Sequence, residues 1–472
     1  MKVTQEMIAE IAREVIARLE SQDGQPSAAR AEGGVFPAVD DAVKAAAAAQ
    51  ARVAALSLED RGRIISIIKN LCAAHATELA RMELEETGLG RLDHKIEKLK
   101  LVRTVLGVEA MRTDARSDAS GLCVIEYAPW GVIGMVLPAT HSVPTMASNA
   151  INVIAAGNTA VFSPHPAAGK VALYAIRMFN REIERELGIS NAITSMAEPS
   201  IRAAEEVFRH PGIALLCVTG GPAVVRAAMK HGKRVIAAGP GNPPVVVDET
   251  ADMDRAARAI IDGASFDNNL LCIGEKEVFV VAQAADAFIA AMRRAGAFEL
   301  DAAAIERLTR AAFRVEEGRG GCAAHVNKEL IGKDVAVLAA AAGVQAPAGT
   351  PLLFGETNED HFFVQEEQMM PFLPVVRVRD RDAAIAAAIK AEHGYRHTAM
   401  IHSRDVDTVT KMARAINTTL FVQNAACAAA LGTGGAGYMS YSIATPTGEG
   451  VTSPLTFTRQ RQITIGGALR IT

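Results

Sequence analysis

Short apolar runs alternate with amphipathic stretches through most of the chain, and this alternation predicts a parallel β-sheet flanked by helices. Each apolar run is short and uniformly hydrophobic, as expected for a strand buried on both faces. A first series contains the predicted strands GVIGMVLP, TAVFSP, IALLCVTG and RVIAAG and the predicted helices AAGKVALYAIRMFNREIERELG and GPAVVRAAMKHG. A second series starts near residue 244 and includes PVVVD, KEVFVVA, AHVNKELIGKD and FLPVVRV.

The beginning of the chain has a different pattern, in which apolar side chains recur at steps of three and four. Ile8, Ile11 and Val15 follow this spacing, which predicts an amphipathic helix over residues 1–20. The small and polar residues that follow predict a flexible linker over residues 21–37. The helix therefore either packs on its own domain or oligomer, or docks into a groove of another protein.

Composition narrows the class of protein. The chain has 472 residues, is half hydrophobic and carries a formal net charge of −4, so we expect two or three domains and no nucleic acid partner. Residues 127–169 contain no Asp, Glu, Lys or Arg, but prolines and glycines interrupt the apolar run, so we expect no membrane-spanning helix. The six cysteines include no Cys-x-x-Cys pair, which predicts neither a disulfide framework nor a metal site and favours a reducing cytoplasm.

Three segments carry candidate chemistry. Cys272 lies where a helical pattern gives way to a strand, with two asparagines shortly before it and Gly274 after it, so it is either a nucleophile or a small buried hydrophobe. The turn TGGP, residues 219–222, either binds a phosphate at a helix start or is an ordinary connection. The glycines and prolines of residues 235–250 predict a domain crossover that also forms a cleft wall.

Five segments, in this order, resemble the aldehyde dehydrogenase superfamily: PWGVIGMVLPATHSVPT, GNTAVFSPHPAAGKVA, AAGPGNPPVVVD, NNLLCIGEKEVFVV and IATPTGEGVTSPLTFTRQR. More narrowly, residues 38–472 resemble the CoA-acylating propionaldehyde and acetaldehyde dehydrogenases of bacterial microcompartments. The resemblance implies an α/β, aldehyde dehydrogenase-like fold with a Rossmann-like cofactor domain at 38–243 and a catalytic domain at 244–440. It also implies a small β oligomerisation arm built from 116–130 and from part of 441–472. The range 441–472 also contains the segment that is expected to close the active site.

The resemblance makes Cys272 the nucleophile, which would form a thiohemiacetal and then an acyl-enzyme thioester that CoA takes over. Hydrolytic family members carry a water-activating glutamate at a position that aligns, through Asn242-Pro243, with Ala237. Alanine cannot act as a base, so the acyl-enzyme is expected to wait for CoA. His141 occupies the slot where the wider family has an oxyanion-binding asparagine, and it is expected either to donate to the oxyanion only or also to act as a base.

Contacts to NAD and coenzyme A are implied in the same way. Glu367 is expected to hold the nicotinamide ribose, and the turn under the pyrophosphate is formed by Thr219, Gly220, Gly221 and Pro222. Ser163 replaces the family's usual lysine near the adenosine ribose. No other cation is evident in the sequence at that place, which favours NAD over NADP. A shared nucleotide cleft implies that the adenine end of CoA contacts Ser163, Pro164, His165 and Pro166. The segment ATPTGEG, residues 444–450, is expected to close over the catalytic pocket.

The activity implied by the resemblance is CoA-dependent oxidation of a small aliphatic aldehyde, propionaldehyde or acetaldehyde, with reduction of NAD. The implied partners are a second or further copies of the chain, as a homodimer or homotetramer, and a microcompartment shell protein bound by the helix at 1–20. That helix would then be an encapsulation peptide, and the protein would lie in the lumen of a cytoplasmic microcompartment. The sequence leaves three alternatives open: a hydrolytic NAD(P)-dependent aldehyde dehydrogenase, a thiol acyltransferase without a redox step, and a non-catalytic cargo or scaffold protein.

Overall fold

The computed structural model describes residues 32–318, 321–467 and 469. The helix predicted at 1–20 and most of the predicted linker lie outside the described residues. The strands are β1 Val35–Phe36, β2 Asp114–Asp118, β3 Gly121–Pro129, β4 Val132–Val136, β5 Thr159–Ser163, β6 Ile193–Met196, β7 Leu215–Thr219, β8 Arg234–Ala238, β9 Pro244–Val247, β10 Glu277–Val281, β11 Phe298–Glu299, β12 Phe313–Gly318, β13 Gly321–Val326, β14 Leu353–Thr357, β15 Phe372–Val378, β16 Thr398–His402, β17 Leu420–Gln423, β18 Ile443–Ala444, β19 Gly450–Val451 and β20 Thr458–Gly466.

The helices are α1 Val39–Ala55, α2 Leu58–Ala74, α3 Ala76–Thr87, α4 Leu92–Leu101, α5 Ser142–Ala155, α6 Gly169–Leu187, α7 Ile201–Arg209, α8 Pro222–Ala228, α9 Met253–Ser265, α10 Ala282–Arg294, α11 Ala302–Ala312, α12 Val335–Ala341, α13 Phe362–Gln365, α14 Arg381–Ala391 and α15 Val406–Ile416. Their ends follow local chemistry. The side chain of Ser57 accepts a hydrogen bond from the backbone of Asp60 and caps α2, while Gly88 and Gly188 end α3 and α6 with left-handed backbone.

The first sheet is parallel and has the order β1-β6-β5-β4-β7-β8. Every residue of β4, β5 and β7 is buried, because helices cover both faces. This is why the sequence shows uninterrupted apolar runs there rather than an alternation. The predicted parallel sheet is therefore confirmed. Its strands β4, β5, β7 and β8 begin and end within two residues of the predicted bounds, whereas β1 and β6 were not among the predicted strands.

The second sheet is also parallel, with the order β11-β14-β15-β10-β9-β16-β17. The predicted domain boundary at 243–244 falls between β8 of the first sheet and β9 of the second. The segment 324–334 was expected to belong to this αβ series, but it is not a strand of the sheet. Residues 324–326 form the end of β13, which pairs with β12 in an antiparallel hairpin, and a turn follows. The apolar stretch is short, and the side chain of Asn327 just after it donates a hydrogen bond to Ala311 O.

A third, antiparallel sheet has the order β2-β3-β20. It joins residues 114–129 to 458–466, and β20 pairs with β3 along its whole length, from Thr458 opposite Pro129 to Gly466 opposite Gly121. The side chains of β20 beyond Thr458 are exposed, including Ile463 and Ile465. Within the described residues, no helix combines the length and the apolar character that crossing a membrane requires.

Candidate functional site

The carboxyl edge of the first sheet gathers one group of the predicted site residues. The strands β5, β4 and β7 are neighbours, and the chain moves from β4 outward to β5 on one side and later to β7 on the other. Such a reversal opens a crevice at the carboxyl ends of the strands, where α/β proteins bind ligands. His141 follows β4, while Ser163, Pro164, His165 and Pro166 lie at the end of β5, and Thr219, Gly220, Gly221 and Pro222 lie at the end of β7.

The amino edge of the second sheet gathers another group. Gly241, Cys272, Glu367 and His397 each come a few residues before one of the adjacent strands β9, β10, β15 and β16. The approach is close, since a Cβ atom on Gly241 would lie 2.6 Å from the carbonyl oxygen of Cys272 and 2.9 Å from Cγ of His397. Topology thus brings together residues that lie far apart in the sequence.

The segment before Cys272 has an unusual backbone. After α9 the chain passes through a short 3₁₀ turn, and Asp267, Asn268 and Asn269 have φ values of 51°, 55° and 63°. Left-handed backbone costs about 1–2 kcal/mol per residue for most side chains, and Asp and Asn tolerate it best. The helix-to-strand crossing predicted at Cys272 is thus a run of left-handed residues followed by a turn into β10.

Hydrogen bonds from outside the segment hold this backbone. The side-chain nitrogen of Asn268 donates to Gly332 O at 2.9 Å and to Asp334 Oδ1 at 2.8 Å. The side-chain nitrogen of Asn269 donates to Glu275 O at 2.9 Å, and buried Lys276 donates to Leu271 O at 3.1 Å. The two asparagines noted in the sequence therefore fix the shape of the loop that carries Cys272.

Cys272 opens onto a cavity of about 640 Å³. The cavity is lined by His141, Tyr441 and Cys427 besides Cys272, with small and apolar side chains from residues 425–431. Cys72, Cys217 and Cys427 are buried, whereas Cys272 is half-buried. The structure therefore gives Cys272 both a cavity for a small substrate and access to it.

The thiol of Cys272 is protonated at neutral pH. Burial and then the nearby Glu367 raise its pKa to about 12, and Lys276 opposes both effects. Since the thiolate is the nucleophile, deprotonation has to accompany substrate or cofactor binding.

His141 lines the same cavity as this thiol, as a neutral imidazole. It is the residue immediately before α5, is 6% exposed, and its Nδ1 lies 2.9 Å from Thr140 Oγ1. Burial, and then the positive charges of Lys98 and Lys95, lower its pKa to about 3. A neutral ring can donate a hydrogen bond to an oxyanion at neutral pH, which favours the donor role that the sequence left open.

No carboxylate stands at position 237. Ala237 is fully buried in the apolar cluster against the first sheet, and its N–H donates to Thr447 Oγ1 at 3.0 Å. The acid whose charge acts on the Cys272 thiol is Glu367. Burial raises the pKa of Glu367 to about 7, while Lys276 and the N–H of Gly241 lower it.

The segment expected to close the pocket packs on the end of the first sheet. Besides the bond from Ala237 to Thr447, a Cβ on Gly239 would lie 2.7 Å from Pro446 Cγ, and Thr219 Oγ1 lies 2.7 Å from Ser442 Oγ. Residues 442–447 therefore lie against β8 and against the turn at the end of β7. This places them between the cavity and the cofactor edge.

Sequence reasoning missed several residues of this region. His397 is buried, its pKa is lowered to about 4 by burial and by Lys276, and its Nε2 has no hydrogen-bond partner among the described residues. The pKa of His165 is lowered mainly by burial and also by the positive charge of Lys328, which follows β13. A cation therefore does lie near the cofactor edge. Neither had a motif around it, since only the topology brings His397 and Lys328 to the site.

Comparison with known proteins assigns the class. The aldehyde dehydrogenase family model matches residues 12–440, so the chain belongs to the aldehyde dehydrogenase family. The acetylating acetaldehyde dehydrogenase EutE of Salmonella typhimurium is 44% identical over 471 residues, which are 99% of this chain and 100% of that protein.

Solved structures agree with this assignment. Rhodopseudomonas palustris propionaldehyde dehydrogenase, with bound CoA and an acylated cysteine, matches with a TM-score of 0.90 at 42% identity, covering 94% of this chain and 100% of that one. The propionaldehyde dehydrogenase of the Clostridium phytofermentans fucose utilisation microcompartment matches with a TM-score of 0.89 at 40% identity, covering 93% and 100%. The aldehyde dehydrogenase-like fold is thereby confirmed.

Proposed function

We propose that this protein is a CoA-acylating aldehyde dehydrogenase that oxidises a small aliphatic aldehyde, propionaldehyde or acetaldehyde, to its acyl-CoA with reduction of NAD⁺. The observation that carries the proposal is the cavity at Cys272, which holds a nucleophile and an oxyanion donor while position 237 has no carboxylate. The overall reaction consumes aldehyde, CoA and NAD⁺ and yields acyl-CoA, NADH and a proton.

The first step forms a carbon–sulfur bond between Cys272 and the carbonyl carbon of the aldehyde, with loss of the thiol proton. The oxyanion that develops is positioned to accept hydrogen bonds from the ring of His141 and the backbone N–H of Cys272. Removing one such donor typically lowers the rate by about 10² to 10³. NAD⁺, when bound, accepts the hydride of the thiohemiacetal, which leaves the acyl group on Cys272.

The residues of the cofactor edge fit a nucleotide. The turn of Thr219–Pro222 lies at the topological reversal of the first sheet, and a Cβ on its exposed Gly221 would meet no atom within 4 Å, so the backbone there is open to a pyrophosphate. The neighbouring segment Ser163–Pro166, with Lys328 beyond it, would receive the adenine end of NAD or CoA. Glu367, on the Cys272 side, would hold the nicotinamide ribose.

CoA rather than water is the proposed acceptor of the acyl group. Water needs a general base, and the position that supplies one in hydrolytic relatives holds the buried Ala237. The CoA thiol is more acidic than water and depends less on such a base. Thioester exchange then regenerates Cys272 and releases acyl-CoA.

The proposed setting is the lumen of a bacterial microcompartment. The Clostridium phytofermentans relative, which matches over 93% of this chain, comes from such a compartment. The proposed shell-binding element is the helix predicted at residues 1–20, and the proposed oligomer contact is the sheet of β2, β3 and β20. Deleting residues 1–20 tests the first of these: activity in solution should persist, while copurification with shells should be lost.

The decisive experiment measures NADH formation from propionaldehyde and NAD⁺ with and without CoA, together with the mass of the product. Turnover that needs CoA and yields propionyl-CoA supports the proposal. Sustained NADH formation without CoA, giving propionate, identifies a hydrolytic enzyme, and the absence of NADH rejects a dehydrogenase. Cys272→Ala should abolish turnover, while Cys123→Ala, which alters a half-buried cysteine in β3, should retain it.

A further inference from the structure

We propose that Lys98 and Asp267 are positioning residues, which hold the Cys272 loop and the His141 turn in register with each other. The inference rests on the proposed function and extends it to residues that no part of the mechanism above uses. The two side chains form an ion pair and are 1% and 0% exposed.

Asp267 is the first residue of the left-handed run that leads to Cys272. Its Oδ1 accepts the N–H of Arg91 at 2.8 Å, and its own N–H donates to Nδ1 of His94 at 2.8 Å. Asp267 is therefore held by the turn between α3 and α4 and by α4 itself. Because its backbone is left-handed, its anchoring determines where Asn268 and Asn269 begin and, through them, where Cys272 lies.

Lys98 connects this anchor to the other half of the site. Besides its ion pair with Asp267, its Nζ lies 3.3 Å from the carbonyl oxygen of Thr140, the residue before His141. The carbonyl oxygen of Lys98 accepts the hydroxyl of Tyr441 at 2.7 Å, and Tyr441 lines the same cavity. One residue of α4 thus contacts three parts of the chain that form the cavity.

A second buried pair completes the network on the His141 side. Lys95 Nζ lies 2.8 Å from Glu83 Oε1 and 3.3 Å from Thr140 O, and Glu83 Oε2 accepts the N–H of Val143 at 3.2 Å. This pair holds the start of α5, and among the described residues it makes no hydrogen bond to the Cys272 loop. Of these two buried pairs, the Lys98–Asp267 pair is the one that spans both halves.

Burying two ion pairs is unfavourable unless each charge has partners, and structural stability alone is a weak reason to have them. Here the partners are backbone groups at Thr140 and Val143, on either side of His141 and Ser142, and at Arg91, which holds the start of the loop to Cys272. A small displacement of either group lowers the rate of an attack that depends on alignment.

Two glycines of one turn provide a matched test. Gly90 has φ +80°, and a Cβ there would overlap the carboxylate of Asp267. Gly88 has φ +64°, and a Cβ there would meet Lys333 Nζ at 3.4 Å, an ordinary contact with a flexible side chain. Both positions have a positive φ, where alanine is strained, but of the two only Gly90→Ala displaces Asp267.

The experiment compares Gly90→Ala and Gly88→Ala by the rate of the first NADH turnover and by alkylation of Cys272 with iodoacetamide. We expect the first turnover to slow by about tenfold or more in Gly90→Ala and by less than about twofold in Gly88→Ala, with KM for NAD⁺ unchanged in both. Alkylation of Cys272 should also slow more in Gly90→Ala than in Gly88→Ala. Because alkylation needs neither CoA nor aldehyde oxidation, failure of this inference is distinguishable from failure of the proposed function.

Asp267→Asn adds an independent arm, because it keeps the shape and the acceptor for Arg91 but removes the charge that Lys98 faces. Like Gly90→Ala, it should slow the first turnover. If one of the two variants does not fold, the other still tests whether the Lys98–Asp267 pair positions the Cys272 loop. Equal loss in the two glycine variants, at equal melting temperatures, would overturn the proposal, as would unchanged turnover and alkylation in Asp267→Asn.

Discussion

At the scale of single residues, the site depends on groups kept neutral by burial. The Cys272 thiol has a pKa raised to about 12, and the pKa of His141 is lowered to about 3. The resting site is therefore a protonated thiol beside a neutral imidazole, not a thiolate–imidazolium pair. This separates the site from cysteine enzymes in which a histidine activates the nucleophile directly.

Two substitutions of His141 test its role as a donor. His141→Ala should lower kcat by about 10² to 10³, whereas His141→Asn should retain most of it, because an amide can donate to the same oxyanion. The kcat of the wild type should show no ionisation of this ring between pH 5 and 8. A base would instead lose its function in His141→Asn as fully as in His141→Ala, which steady-state rates across this pH range would reveal.

Sequence reasoning reached the residues that have a motif around them. Cys272, His141 and Thr219 were found because each stands in a recognisable segment, and the structure brings Cys272 and His141 to one cavity. Their assigned roles stay predictions. His397, Lys98 and Asp267 were missed since their contacts join residues far apart in the chain, such as Lys98 and Asp267, which are 169 positions apart.

At the scale of elements, the segment between β18 and β19, which is predicted to close the pocket, is attached to the first sheet at a defined point. It is held to β8 by the hydrogen bond from Ala237 N–H to Thr447 Oγ1, and Thr447 also donates to Glu449. Since Ala237 is buried, its N–H has no access to water if Thr447 is changed.

Thr447→Val removes this acceptor while keeping the shape of the side chain. We expect a loss of about 1–3 kcal/mol in the free energy of unfolding, since a buried donor is left unpaired. The KM for NAD⁺ should rise, because Ser442, just before this segment, contacts Thr219. Thr447→Ser, which keeps the hydroxyl, should restore both, and thermal unfolding with steady-state kinetics measures them. Equal behaviour of the two variants would contradict the prediction.

The elements themselves could be predicted because buried parallel strands produce continuous apolar runs, as in β4, β5 and β9. The hairpin of β12 and β13 could not, since its residues show no clear period of apolar positions. Sheet order was also inaccessible to the sequence alone. The pattern predicts which segments are strands, but it does not say that β10 lies between β15 and β9.

At the scale of the whole molecule, buried acids make stability depend on pH. Burial raises the pKa of the Glu275 carboxyl to about 7, from a value near 4.3 in an unfolded chain. The folded protein therefore holds a proton that the unfolded chain has released. The stabilisation from that proton is complete below about pH 4.3 and is lost as the pH rises through about 7.

Glu275→Gln, which cannot ionise and can still accept the N–H of Cys427, should therefore be more stable than the wild type above pH 7. The gain should be at most about 4 kcal/mol and should vanish near pH 4.5. Melting temperatures from pH 4.5 to 8.5 measure it, with the exposed Glu198→Gln as a control that should show no such trend. A difference that stayed constant across this range would contradict the assignment.

The pairing of β3 with β20 has a consequence for synthesis. Arg459 bonds to Pro129, 330 positions earlier in the chain. At about 5–20 residues per second, a ribosome needs on the order of 15–65 s to make the segment between them. For that time the nascent chain presents β3 with an open edge, because its partner β20 does not yet exist. The chain is therefore most exposed to mispairing with neighbouring nascent copies until translation is nearly complete.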